Sequence, residues 1–315
     1  MRYLLTGGAG FLGSHTAERL VSLGHSVTIL DNFSSGKREN LTELGKNIEI
    51  LEGDILDPVL CQKAADGVDH VVHLAAQVSV ARSVDNPAET HRINIDGTVN
   101  VLEAARRANA KSLVFLSSCA VYGDTRELPI TEAAPVRPIS PYAVSKLSGE
   151  YYCHSYFEQF GLKTCVVRLF NIFGPKQDPC SPYSGVMSIF LQRLSQKAGV
   201  TIYGDGHQTR DFVYVGDVAR ILATLGAEID RFPERCYNVA TGTSTSINDL
   251  WRQLSELAPD TLTPVHDSSR HGEIKHSLGS AARLTARLAS TNPGFRFTPL
   301  AEGLKPTFDW YQKTR

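Results

Sequence analysis

Short apolar runs and stretches of helical period alternate through the first half of the chain. Runs at 2–6, 26–30, 48–52, 69–74, 112–117 and 164–169 read as strands, and 12–23, 58–66, 88–109 and 142–160 as the helices between them. That alternation predicts an α/β fold, a Rossmann-type doubly wound parallel sheet with helices on both faces. The second half is less regular. A proline-rich loop at 175–183 precedes a helix at 185–198, a strand at 200–203 and a turn at Gly204-Asp205-Gly206. A helix follows at 246–257, with Ser246 as its cap. Residues 213–239 read as sheet and helix again. The predicted division is therefore 1–170 with 213–239 in one domain, and 171–212 with 240–315 in a smaller mixed α/β lobe. That lobe belongs at the C-terminal edge of the sheet, where open α/β sheets bind ligands.

Composition narrows the classes. The 315 residues, 42% apolar, suffice for one large or two modest cores. With 32 basic and 33 acidic residues the formal net charge is −1, which gives no electrostatic case for nucleic acid or an anionic membrane. No apolar run approaches the roughly 18 residues of a membrane span. A strand begins almost at once, which argues against a signal peptide. The six cysteines (61, 119, 153, 165, 180 and 236) form no Cys-x-x-Cys. Reduced thiols in the cytoplasm are expected, with neither a disulfide framework nor a metal site.

Candidate chemistry starts at the first strand, which runs into Thr6-Gly7-Gly8-Ala9-Gly10-Phe11-Leu12-Gly13. A strand, a glycine-punctuated turn and a helix make a dinucleotide site. Gly7 allows the tight turn, Gly10 lets backbone N–H groups approach a pyrophosphate, and Gly13 lets the helix pack close to the strand. The helix start at Phe11 and Leu12 offers unpaired donors and a partial positive charge. The second strand ends in Asp31-Asn32. An acid there accepts from both ribose hydroxyls and repels a 2′-phosphate, so NAD is expected over NADP. Two roles fit Asp54, which with Ile55 follows the third strand: a partner for the adenine amino group, or a cap for the next helix. Leu74-Ala75-Ala76 ends the fourth strand with small side chains, which leave room for cofactor or pack tightly.

Tyr142 and Lys146 are four apart on a predicted helix and share a face. A tyrosine needs help to act as a base at neutral pH, because its reference pKa is about 10. A nearby ammonium favours the phenolate, and Lys146 can also hold the nicotinamide ribose. The same spacing occurs on ordinary surface helices. Ser117 and Ser118 end an apolar strand at the cofactor edge, where Ser118 can bond a substrate hydroxyl and relay its proton to Tyr142, or simply close the strand.

These motifs occur in one order. The glycine loop, Asp31-Asn32, Ser117-Ser118-x-x-x-Tyr122-Gly123, Tyr142-x-x-x-Lys146 and Arg168-Leu-Phe-Asn171-x-x-Gly174-Pro175 together resemble the extended short-chain dehydrogenase/reductases. Within these the chain is similar, over nearly its whole length, to nucleotide-sugar 4-epimerases of the UDP-glucose/UDP-N-acetylglucosamine type. The resemblance implies a bound NAD, Tyr142 as base with Ser118 assisting, and transient oxidation of C4 to a 4-keto sugar before hydride returns to the other face. It implies that Asn171, Arg210 and Arg270 hold the UDP diphosphate, that Tyr203 packs on uracil, and that Glu273 contacts the uridine ribose. Related 4,6-dehydratases carry an Asp-Glu pair where this chain has Cys119-Ala120, which favours epimerisation. The position seven after the phosphate arginine neighbours the sugar; a tyrosine there restricts the pocket to plain hexoses, and Ser277 leaves room for a 2-N-acetyl group. Ser79, in the stretch 79–83, matches the loop lining the sugar pocket. The resemblance also implies a homodimer, formed by helices 88–109 and 142–160 through apolar stripes that include Tyr151, Tyr152, Tyr156 and Phe157. At Gly279 to Ala282 the chain departs from the family, with an expected effect on helix capping only.

Overall fold

The computed structural model describes residues 1–178, 185–258, 262–268 and 275–314. Six of its strands are those expected from the sequence: β1 (Arg2–Thr6), β2 (Ser26–Asp31), β3 (Ile48–Glu52), β4 (His70–His73), β5 (Ser112–Ser118) and β6 (Thr164–Leu169). Cys236–Val239 adds a seventh beside β6. The order across the sheet is 236–239, β6, β5, β4, β1, β2, β3, and every neighbouring pair is parallel.

Side chains alternate across this sheet with a period of two, and each face has its own core. Leu5, Val72, Val114 and Val167 pack with the helices Phe11–Ser22 (α1) and Val215–Ala227. Leu4, Val71, Leu113 and Val166 pack on the other face with Pro58–Ala65, Gly97–Arg107 and Pro141–Phe160. A third core joins Phe173, Met187, Phe190, Leu250, Phe308 and Tyr311 in the irregular half. Helix Ala282–Thr291 returns to the first core through Leu284 and Leu288. No side chain accepts at its Ala281 N-cap, in line with the departure at 279–282.

The helix expected at 88–109 is not continuous. It is α-helical at Pro87–His91, widens to a π-turn at Arg92–Asp96, and resumes at Gly97–Arg107. The extra residue in that turn carries Asn94 into the interior, where it is 3% exposed. The aromatic stripe on Pro141–Phe160 divides too. Tyr156 is buried in the second core, and the Arg235 guanidinium lies 3.6 Å from the Phe157 ring centroid, while Tyr151 and Tyr152 stay exposed. Among the described residues no helix is long and apolar enough to cross a membrane, and no cluster of His, Cys, Asp or Glu could hold a metal ion. Cys61, Cys119, Cys153, Cys165 and Cys236 are free thiols.

Candidate active site

The glycine loop closes tightly at the carboxyl end of β1. Gly7 has φ +69° and lies where a Cβ would stand 2.7 Å from the Ala75 nitrogen. A Cβ on Gly13 would reach within 2.2 Å of the Gly7 oxygen. The loop therefore tolerates a side chain at neither end. Gly10 is the N-cap of α1; no side chain caps the helix and no acid occupies its first turn. The open N–H groups at Phe11 and Leu12 suit an anion. Leu74 and Ala75 bond back to the Thr6 carbonyl and hydroxyl, at 3.1 and 3.2 Å.

Asp31 is buried at the end of β2. Its two oxygens accept from the Ala9 and Phe33 N–H groups, at 2.9 and 2.8 Å. Each keeps a lone-pair direction for a ligand, and a Cβ on Gly36 would stand 3.0 Å from Oδ1. Asp54 does not cap the next helix: it accepts from Leu56 N at 2.9 Å and from the Asn32 amide at 2.8 Å within its own turn. Asp57 caps the following helix instead. The Ile55 side chain packs in the core against Gly97, and Ala76 ends this rim. The uncapped helix start, the glycine cradle and the buried acid together fit NAD.

Tyr142 and Lys146 share one face of Pro141–Phe160, a helix that Ser140 caps by accepting from Ala143 N at 3.2 Å. The Ser118 hydroxyl meets the Tyr142 phenol and accepts from Ala120 N at 3.2 Å. Lys146 is 5% exposed, donates to the Leu116 carbonyl at 2.8 Å and stands over the Phe115 ring. Burial lowers its ammonium to about 8. Burial of the Tyr142 hydroxyl pushes the phenol up to about 12, against the lowering effect of Ser118. Cys119 beside it is pushed up to about 11 by burial and stays a thiol.

Support behind these residues escaped the sequence reading. Asn94 accepts from Gln77 N at 2.7 Å and donates to the Gln77 carbonyl and the Ser145 hydroxyl, both at 2.9 Å. The signal was a polar residue on the inward face of a helix. Its neighbour Thr98 donates to the Asn94 carbonyl and so accepts from His73 Nε2, which leaves His73 Nδ1 to accept from Thr6. Ser79 is buried as the N-cap of Val80–Asp85, where its hydroxyl accepts from Arg82 N at 3.0 Å.

A cleft of about 580 Å³ opens beside this centre. Asn171, Tyr203, Gln208 and Arg210 supply its polar wall, and Phe190, Phe212 and Ile247 part of its apolar one. Asn171 in its wall stands two residues past Leu169, the register partner of Ser118, so the cleft begins close to the end of β5. Asp211 fixes this corner. It is fully buried and accepts from Thr241 N and Oγ1, Gly242 N and Gly279 N. Ser277 donates its N–H to the Thr209 carbonyl at 3.1 Å, beside Arg210. Arg270 and Glu273 lie outside the described residues.

Comparison with known proteins agrees with this geometry. The sequence profile of the NAD dependent epimerase/dehydratase family matches residues 3–240. The UDP-glucose 4-epimerase of Mycolicibacterium smegmatis is 37% identical over 319 residues, 99% of each chain. A UDP-N-acetylglucosamine 4-epimerase from Methanobrevibacter ruminantium, solved with UDP-N-acetylmuramic acid, superposes with a TM-score of 0.93 at 36% identity, covering 100% of this chain and 99% of that one. A UDP-N-acetyl-alpha-D-glucosaminuronate decarboxylase of Bacillus cytotoxicus is 34% identical over 99% of this chain and 98% of its own.

Proposed function

The chain belongs to the NAD dependent epimerase/dehydratase family of extended short-chain dehydrogenase/reductases, and from that premise we propose that it interconverts the C4 epimers of a UDP-hexose. The preferred pair is UDP-GlcNAc and UDP-GalNAc, with UDP-Glc and UDP-Gal also accepted. The observation that carries the reading is the meeting of Ser118 with Tyr142, on the helix face that also bears the buried Lys146.

In this reading Gly7, Gly10, the α1 start and Asp31 hold NAD, which when bound takes up and gives back the hydride of C4. Tyr142 Oη receives the proton of the sugar 4-hydroxyl, and Ser118 hydrogen-bonds the same oxygen. Lys146 keeps two N–H donors beyond the one given to Leu116 for the nicotinamide ribose. Arg210, Asn171 and Arg270 clamp the diphosphate, since guanidinium groups match phosphate oxygens in charge and geometry. Tyr203 packs on uracil, and Glu273 bonds the uridine ribose. Cys119 and Ala120 supply no acid for loss of water, which supports epimerisation over dehydration.

Purified protein given UDP-GalNAc and no added NAD is expected to form UDP-GlcNAc, with no net change at the NADH wavelength. A stable 4-keto-6-deoxy product, or turnover of UDP-uronates only, overturns the reading. In the same assay Ser277→Tyr is expected to lower kcat/KM for the acetylated sugars by about 10² while sparing UDP-Glc and UDP-Gal. Filling a pocket with one bulky side chain has an effect of that order.

We also propose a cytoplasmic homodimer. Free thiols support the location. Val144, Tyr151, Tyr152 and Phe160 on Pro141–Phe160 are 40–61% exposed, and Val80 and Val84 nearby add apolar surface. Sedimentation is expected to give about twice the 34.5 kDa chain mass; a monomer at micromolar concentration refutes the pairing.

A further inference from the structure

The helix that carries Tyr142 and Lys146 bears a third inward residue one turn further on, Glu150, which is 8% exposed. Its carboxylate is fully engaged. Ser117 Oγ donates to Oε1 at 2.5 Å, and Arg168 Nε and Nη2 donate to Oε1 and Oε2 at 3.0 and 2.6 Å. Arg168, 7% exposed, also donates through Nη1 to the Tyr122 hydroxyl at 2.9 Å, which donates to Asn238 at 2.7 Å. One carboxylate thus gathers the catalytic helix, β5 beside Ser118, the turn at Tyr122 and the two outer strands.

We infer that Glu150 is a positioning residue: through Ser117 and Arg168 it holds the Lys146 face of the helix in register with Ser118. It touches none of the groups assigned to substrate or cofactor. Its second effect is electrostatic. Glu150 is the charge that favours the Lys146 ammonium against its burial. The Lys146 charge also reaches His73 from β4, held neutral, and Tyr142 lies on the same face of its own helix. Around Glu150 stand Arg168 from β6, Tyr122, Cys236 from the outer strand and Cys153 from its own helix. A buried ion pair is often replaceable by apolar side chains without loss of stability. A buried pair one turn behind Lys146 on the same helix therefore fits a positional role.

The inference rests on the proposed reaction, and the test separates the two. The purified full chain is labelled with 13C-lysine, and the Lys146 Cε signal, assigned by its loss in Lys146→Met, is followed against pH. In the parent protein its midpoint is expected near 8. Glu150→Gln is expected to lower that midpoint by one pH unit or more, and Glu150→Asp to restore most of it. Glu150→Gln strands the Arg168 charge and can misfold. Glu150→Gln with Arg168→Gln replaces both charges by amides and is expected to lower the midpoint by at least 0.5 unit. Turnover is expected to fall at least tenfold in the same variants, with KM for the sugar nucleotide within twofold. A midpoint unmoved within 0.3 unit in a folded variant, or KM rising in step with lost turnover, overturns the inference. Absent epimerase activity in the parent defeats the proposed reaction and leaves the lysine titration standing.

Discussion

Tyr142→Phe is expected to cut kcat by at least about 10³-fold, about 4 kcal/mol in the barrier, while the protein keeps its bound NAD. The Tyr142 hydroxyl meets that of Ser118, with the Cys119 thiol close by and Lys146 on the same helix face. Ser118 alone is a poor base, Cys119 remains a protonated thiol, and Lys146 points its nitrogen to the Leu116 carbonyl. In the proposed reading the glycine loop, the α1 start, Asp31 and Lys146 hold NAD, so the cofactor is expected to stay bound without the Tyr142 hydroxyl. The free phenol, raised to about 12, holds roughly one phenolate in 10⁵ at pH 7. Burial by the chain opposes the base, and an oxidised nicotinamide bound beside it would supply positive charge that lowers it. Cofactor released from denatured Tyr142→Phe should match the parent mole for mole. Activity within tenfold of the parent refutes Tyr142 as the base, whatever the sugar.

Local features were the legible ones. The strand, glycine turn and helix at 2–22 read correctly because their backbone demands lie within a dozen residues of one another. Tyr142 and Lys146 read correctly because helical spacing alone puts them together. The unread features have partners far away in sequence. Asn94 bonds across 17 residues to Gln77 and 51 to Ser145, so nothing within 88–109 announces the π-turn that turns it inward. Glu150 and Arg168 are 18 apart on different elements, and only the packing of helix against sheet makes them a pair. Ser79 and Asp54 show the converse. Each carries a group suited to a ligand, and each uses it on nearby backbone N–H donors. Tyr142 adds a chemical case: spacing places Lys146 on its face, whereas the burial that raises the phenol exists only once the chain is packed.

Stability is expected to fall by about 4 kcal/mol between pH 7 and pH 5, chiefly through two buried histidines. His73 is fully buried, with Nδ1 accepting from Thr6 and Nε2 donating to Thr98, so it has no room for a second proton. Burial, with Lys146 adding a smaller effect, lowers it from 6.5 to about 3. His70 is lowered to about 4, again chiefly by burial, with Nδ1 on Ser112 and Nε2 unpartnered among the described residues. For both groups the unfolded chain binds the proton more tightly. Stability is therefore full above about pH 6.5 and is lost as pH falls from there towards the folded values of about 4 and 3. At pH 5 each neutral ring costs about 2 kcal/mol, from 1.5 pH units at 1.36 kcal/mol per unit. Asp69, Glu103 and Glu234, lowered to about 2, and Glu18, Glu89 and Asp205, also lowered, begin to matter only below about pH 4.5, so their window lies below that of the histidines. Urea unfolding at pH 7, 6 and 5 measures the slope. His70→Gln, which cannot titrate, is expected to halve it without changing activity at pH 7, since His70 lies at the opposite end of its strand from the cofactor edge. A midpoint constant across that range would mean that the two rings are already solvated in the folded chain.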